Sequence, residues 1–101
     1  LELIIMMVVI TYDVKTESED GKARLRKVAK TCKDYGQRVQ FSVFECLVDP
    51  ARFKLLQAKL GAIMDKEKDS IRYYKLGDEW KTRIEHVGAK AVIDLEGTLM
   101  A

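Results

Sequence analysis

An apolar run, Met7-Val8-Val9-Ile10-Thr11-Tyr12, ends on a carboxylate at Asp13. Side chains alternate along a strand, so Val8, Ile10 and Tyr12 share one face and Val9, Thr11 and Asp13 the other. The first set stays apolar; the second grades from apolar to hydroxyl to charge. Asp13 is thereby placed at the C-terminal end of a central strand, on the less buried face, where a carboxylate can hold a hard cation or act as general base. An aspartate there also serves to stop a strand or to bond into the next turn, and residue type and position leave both readings open. A second group is cationic. Lys22, Arg26, Lys30 and Lys33 recur at helical spacing in a narrow stripe, with Arg24 and Lys27 farther round. Such a stripe can track phosphates, and its plain alternative is a solvated helix face. A third group, Arg38, Gln40 and Ser42, alternates with Val39, Phe41 and Val43. It would bring one cation and two hydrogen-bonding groups to the open face that carries Asp13.

The elements that must position these groups follow from periodicity. A polar loop, Lys15 to Asp20, leaves the first strand, and loops at strand ends often carry function. A helix is expected from Gly21, with Leu25, Val28, Ala29, Cys32 and Tyr35 on its core face and Gly36 as its stop. Beyond Val43 the apolar phase slips to Phe44, Cys46 and Val48, which requires a bulge or reversal near Ser42–Phe44. Two short strands are expected there, joined without the usual glycine turn. Asp49-Pro50 opens a second helix as cap and first residue, with Phe53, Leu56, Leu60, Ile63 and Met64 inward. Ser70 to Leu76 reads as the last clear strand; its Tyr73 and Tyr74 can stack a base but fit core or cross-strand pairing better. Trp80 is expected to anchor a short turn, and Ile84 to Val87 to form an edge strand. The order strand, helix, strand, strand, helix, strand is the split βαβ plan: an α+β, ferredoxin-like antiparallel sheet with two helices on one face and a C-terminal tail strand.

Composition narrows the function classes. The 101 residues form one domain, and 48% hydrophobic content is enough to build a core. The net charge of +2 says little about a partner, so the distribution of charge must carry that argument. Cys32 and Cys46 lie in apolar-patterned stretches and read as reduced core residues of a cytoplasmic protein. One histidine and no Cys-x-x-Cys exclude the usual zinc patterns. The apolar run from Leu3 to Ile10 is too short to cross a membrane and reads as the first strand, with residues 1–6 as a possible early-start extension. A magnesium site normally uses one or two carboxylates with substrate oxygens. A two-fold dimer would supply a second Asp13, and the open face with Val9 and Thr11 has no third helix to cover it. The apolar end Thr98-Leu99-Met100 also wants a surface to pair with. A small-molecule pocket is disfavoured by the cations from Lys22 to Lys33, and an RNA-recognition motif by the lack of its aromatic strand signature.

Tyr12-Asp13-Val14 after the first strand, Arg24-Leu25-Arg26-Lys27-Val28 in the helix, and Tyr35-Gly36-Gln37-Arg38-Val39-Gln40-Phe41-Ser42-Val43-Phe44-Glu45-Cys46 together resemble the CRISPR-associated protein two family (Cas-two). Asp69 to Tyr74 and Ile84 to Gly88 extend the likeness, which runs from Met7 through nearly the whole chain and looks like that of type I-C systems. The Val-Gln-x-Ser-Val-Phe-Glu run is its specific part. The resemblance implies a ferredoxin-like homodimer in which residues 89–101 add to the partner's sheet. It implies an integrase subunit as partner in spacer acquisition, and duplex DNA or RNA as the bound nucleic acid. It further implies magnesium- or manganese-dependent endonuclease activity, with Asp13 as catalytic and metal-binding residue and Tyr12, Arg38, Ser42 and Phe44 around it. A non-catalytic nucleic-acid scaffold is the other function the family admits.

Overall fold

The chain forms β1 (Met6–Asp13), α1 (Glu19–Tyr35), β2 (Gln37–Gln40), β3 (Val43–Val48), α2 (Pro50–Ile63) and β4 (Ser70–Gly77), followed by a 3₁₀ turn at Trp80–Thr82. This computed structural model describes residues 4–89; the expected pairing of Thr98, Leu99 and Met100 lies outside the described residues. The strands form one antiparallel sheet in the order β2-β3-β1-β4, the ferredoxin-like arrangement expected from the element order.

Local chemistry explains most boundaries. The first strand begins at Met6 rather than Leu3, and Ile4 and Ile5 remain outside it and exposed. The first helix begins two residues before Gly21, because Ser18 caps it: the Ser18 hydroxyl accepts from the Gly21 N–H at 3.1 Å. Asp49 caps α2 in the same way, accepting from the Arg52 N–H at 2.8 Å, with Pro50 in the first turn. Gly36 stops α1 for want of space. Its backbone is extended, but a Cβ there would strike the Glu45 carbonyl and Cys46 on β3.

Both helices pack on one face of the sheet. Val8, Ile10 and Tyr12 of β1 and Phe44, Cys46 and Val48 of β3 meet Val28, Cys32 and Tyr35 of α1 and Phe53, Leu56 and Leu60 of α2. Cys32 and Cys46 are buried there as free thiols, and burial pushes both up to about 12, so they are unreactive core residues. On β4, Tyr73 meets the Phe53 ring edge-on at 5.5 Å, while Tyr74 is turned to the other face and exposed. The face away from the helices is not wholly open. Met7 and Leu47 are buried on it beneath Leu76, Trp80 and Ile84, so the 3₁₀ turn does part of what a third helix would. Trp80 thus anchors a turn as expected. Ile84 to Val87 is a correction: these residues form no strand, since Ile84 is drawn onto the Met7–Leu47 cluster instead of into a ladder.

Candidate active site at the end of the first strand

The last two residues of β1 divide between the two faces. Tyr12 turns inward and is buried; Asp13 turns outward and is exposed. The inward residue fixes the strand end in three ways. The Tyr12 N–H donates to the Ser42 carbonyl at 3.2 Å, and the phenol donates to the Phe41 carbonyl at 3.4 Å. The Tyr12 ring stacks on Phe44, with centroids 6.1 Å apart. Asp13, opposite Ser70 on β4, is therefore presented from a strand end clamped by the β2–β3 turn.

That turn departs from the expected alternation. Gln40 pairs with Val43, which leaves Phe41 and Ser42 as a two-residue link in which no residue is left-handed. The register shifts between Arg38 and Gln40, so Arg38 lies opposite Phe44 while Gln40 lies opposite Val43. Phe44 faces the helices and Val43 does not, so the shift sends Arg38 and Gln40 to opposite faces. Arg38 is thus corrected: it does not share the open face with Asp13. Its guanidinium carbon lies 5.1 Å from the centroid of the Phe44 ring and 5.7 Å from that of Phe41. Its Nε is buried with no hydrogen-bond partner. Tyr12, Phe44, Arg38 and Phe41 form a row on the helix-side edge, with Asp13 at the same end but on the other face. Glu45, opposite Val9 on the open face, is half-buried, and desolvation raises its carboxyl above the usual value.

The residue that holds the neighbouring loops was not legible as such. Asp69, at the end of the charged α2–β4 link, has a fully buried side chain. It accepts from Arg24 Nε at 2.7 Å, from the Lys15 N–H at 3.1 Å and from the Asp65 N–H at 2.9 Å. The Arg24 guanidinium and these backbone donors hold its carboxyl below the ordinary range against the opposing effect of burial. One carboxylate thereby ties α1, the loop after Asp13 and the loop before β4. The signal in the sequence was Arg24 itself: it lies more than half a turn round from Lys22, off the basic stripe, and a cation on the packed side of a helix needs a carboxylate. Arg24 is accordingly committed to this pair and is not free for phosphate. Lys22, Arg26, Lys27, Lys30 and Lys33 are all exposed. Two of them make only loose surface pairs, Lys22 with Glu19 at 3.4 Å and Lys30 with Asp34 at 3.8 Å.

Among the described residues no group of three or more histidine, cysteine, aspartate or glutamate side chains is placed to hold a metal. Asp13 supplies one hard oxygen donor. Its chemistry suits a magnesium ion that keeps several waters and takes other ligands from substrate oxygens, but not an all-protein cage.

Residues 6–84 match the family described as CRISPR associated protein Cas2. The chain belongs to the Cas2 family. The "CRISPR-associated endoribonuclease Cas2" of Chlorobaculum tepidum is 59% identical over 94% of this chain and 99% of its own length. The "CRISPR-associated endonuclease Cas2" of Halalkalibacterium halodurans is 57% identical over 94% of this chain and 99% of its own. The crystal structure of Streptococcus pyogenes Cas2 at pH 6.5 superposes with a TM-score of 0.71 and 57% identity, covering 82% of this chain and 100% of that one. The four-stranded sheet with two helices is thus the Cas2 fold, and Tyr12, Asp13, Arg38, Ser42 and Phe44 all lie within the matched region. No helix among the described residues is long and apolar enough to cross a membrane.

Proposed function

We propose that this chain is a CRISPR adaptation endonuclease that hydrolyses phosphodiester bonds of RNA or DNA, with Asp13 at the reacting centre. The observation that carries this reading is the exposed Asp13 carboxylate at a strand end immobilised by Tyr12, in a chain whose relatives are named endoribonuclease or endonuclease Cas2. Magnesium or manganese, when bound, would supply charge neutralisation at phosphoryl oxygens and a more acidic water. Asp13 is the residue that would hold it, and its carboxylate is also the group that can accept the proton of an attacking water. Tyr12 and the Ser42 carbonyl act as positioning groups, and Phe44 fixes the Tyr12 ring. Arg38 brings a fixed cation to the same end of the sheet. The exposed cations of α1 hold the substrate backbone. The working assembly of this proposal is a cytoplasmic homodimer acting with the integrase subunit on duplex DNA or RNA.

The second reading is a scaffold without catalysis, favoured by the sparse donor set around Asp13 and the continuous basic face of α1. One experiment separates them: cleavage of single-stranded RNA and duplex DNA, with and without magnesium, by the native chain and by Asp13→Ala. The nuclease reading expects a loss on the order of 10²-fold or more in the variant. Equal activity in both would assign the cleavage elsewhere and leave the scaffold.

A further inference from the structure

Phe41 stands at the tip of the β2–β3 link with 76% of its surface exposed, the most of any phenylalanine among the described residues. Nothing local asks for it. Two-residue hairpin links favour asparagine, aspartate and glycine for their backbone freedom, and a phenyl ring left in water gains none of the burial that normally justifies one. The ring nevertheless has an ordered setting. Arg38 lies beside it, guanidinium carbon 5.7 Å from the centroid, and is backed in turn by the buried Phe44 ring at 5.1 Å. The Arg38 Nε has no hydrogen-bond partner. The link that carries Phe41 is tied to the strand of Asp13 through the Tyr12 phenol and the Tyr12 N–H. An exposed aromatic face with a cation beside it, at the same end of the sheet as Asp13 though on the other face, is the equipment for stacking an unpaired base and meeting its phosphate.

We propose that Phe41 is a base-stacking residue and that Arg38 is its charged neighbour, so that the site takes a single-stranded segment or a splayed-out base. In an intact duplex the base faces are already stacked and offer Phe41 no partner. The inference rests on the nuclease reading and deepens it, because it assigns substrate class to a residue outside the Asp13 cluster. Phe41 itself takes no part in bond cleavage.

The test is equilibrium binding of fluorescently labelled single-stranded and duplex oligonucleotides in EDTA, where no cleavage intervenes. Phe41→Ala should weaken single-strand binding about tenfold, the scale of one base–aromatic stack. Duplex binding should stay within about twofold. Phe41→Trp should restore single-strand affinity, with its fluorescence quenched on binding, and Phe41→Leu should not restore it. An oligonucleotide bearing one abasic position in the contacted stretch should weaken binding to the native chain but not to Phe41→Ala. Unchanged single-strand affinity in Phe41→Ala would overturn the inference. So would a native chain that binds duplex but no single strand, a result that leaves the proposed function standing on duplex substrates. Sedimentation supplies the remaining arm: if Phe41→Ala shifts the oligomeric state and the affinities follow that shift, Phe41 is a contact between copies and the stacking role is lost.

Discussion

Asp69 and Asp13 show how differently two carboxylates in one small domain can be used. The Asp69 side chain is fully buried and satisfied by one guanidinium and two backbone donors. Removing it orphans all three, so Asp69→Ala should destabilise the fold by about 3 kcal/mol, as expected when one partner of a buried pair is lost; urea unfolding followed by circular dichroism measures this. Its pH dependence has a definite sign. The folded-state value is lowered from an ordinary 3.8 by the Arg24 hydrogen bond first, with the backbone bonds adding to it. The contribution is therefore complete above 3.8 and is lost as pH falls from 3.8 through the depressed value. Native protein should lose melting temperature across that acid range more steeply than Asp69→Asn does. Asp13, exposed at a strand end, has no such part in holding the fold. Asp13→Ala should cost the fold of the subunit no more than about 0.5 kcal/mol, as for other surface substitutions, while cleavage falls. Asp13 was legible because strand alternation places it without reference to the rest of the fold. The position of Arg38 was not, because one register shift at Val39 reverses the face of everything before it.

At the scale of elements, α1 is the main nucleic-acid surface of the proposal. Its Lys22–Glu19 and Lys30–Asp34 pairs are exposed and long, hence weak and readily exchanged for phosphate contacts. If Lys22, Arg26, Lys30 and Lys33 each meet a phosphate, the log–log salt slope of duplex binding should be roughly −3 to −4 per subunit, from about 0.9 per phosphate. Replacing any one by glutamine should flatten the slope by about one unit in a fluorescence anisotropy titration. An unchanged slope would make the stripe a solvated face. Where α1 hands over to β2, Gly36 sits against the Glu45 carbonyl and Cys46. Gly36→Ala should therefore cost about 1–3 kcal/mol through overpacking, and a urea titration against the native chain checks it. These elements could be read from sequence because caps and periodicity are local: Asp49-Pro50 for α2, the Val28, Cys32 and Tyr35 spacing for α1. The 3₁₀ turn over Met7 and Leu47 could not be placed in the same way. Its residues are recruited by an apolar surface distant in the chain, and their own pattern around Ile84 imitates an edge strand.

For the whole molecule, the remaining question is what completes the sheet face that carries Asp13. The 3₁₀ turn covers Met7 and Leu47, but Val9 and Thr11 stay half-buried and Tyr74 beside them is 44% exposed. A second copy related by a two-fold axis would bury this patch against itself and bring in a second Asp13, raising the donor set from one carboxylate to two, the upper end of what magnesium sites use. Two like charges brought close also oppose association until something neutralises them. These two effects have opposite signs in one experiment. The native chain should sediment as a dimer at micromolar concentration, and magnesium should raise its melting temperature, since a ligand that binds only the assembled form stabilises it by mass action. Asp13→Asn should remove the repulsion and the ligand together. Without magnesium it should therefore melt above the native dimer, and added magnesium should leave it unchanged. A native monomer at micromolar concentration would defeat the shared site, while a native dimer whose melting ignores magnesium would keep the assembly and take the metal out of it. Because Asp13 borders the patch without filling it, Tyr74→Glu gives an independent check. It should separate the subunits by placing charge on the apolar face, and cleavage should be lost with Asp13 still present if the carboxylates work only as a pair.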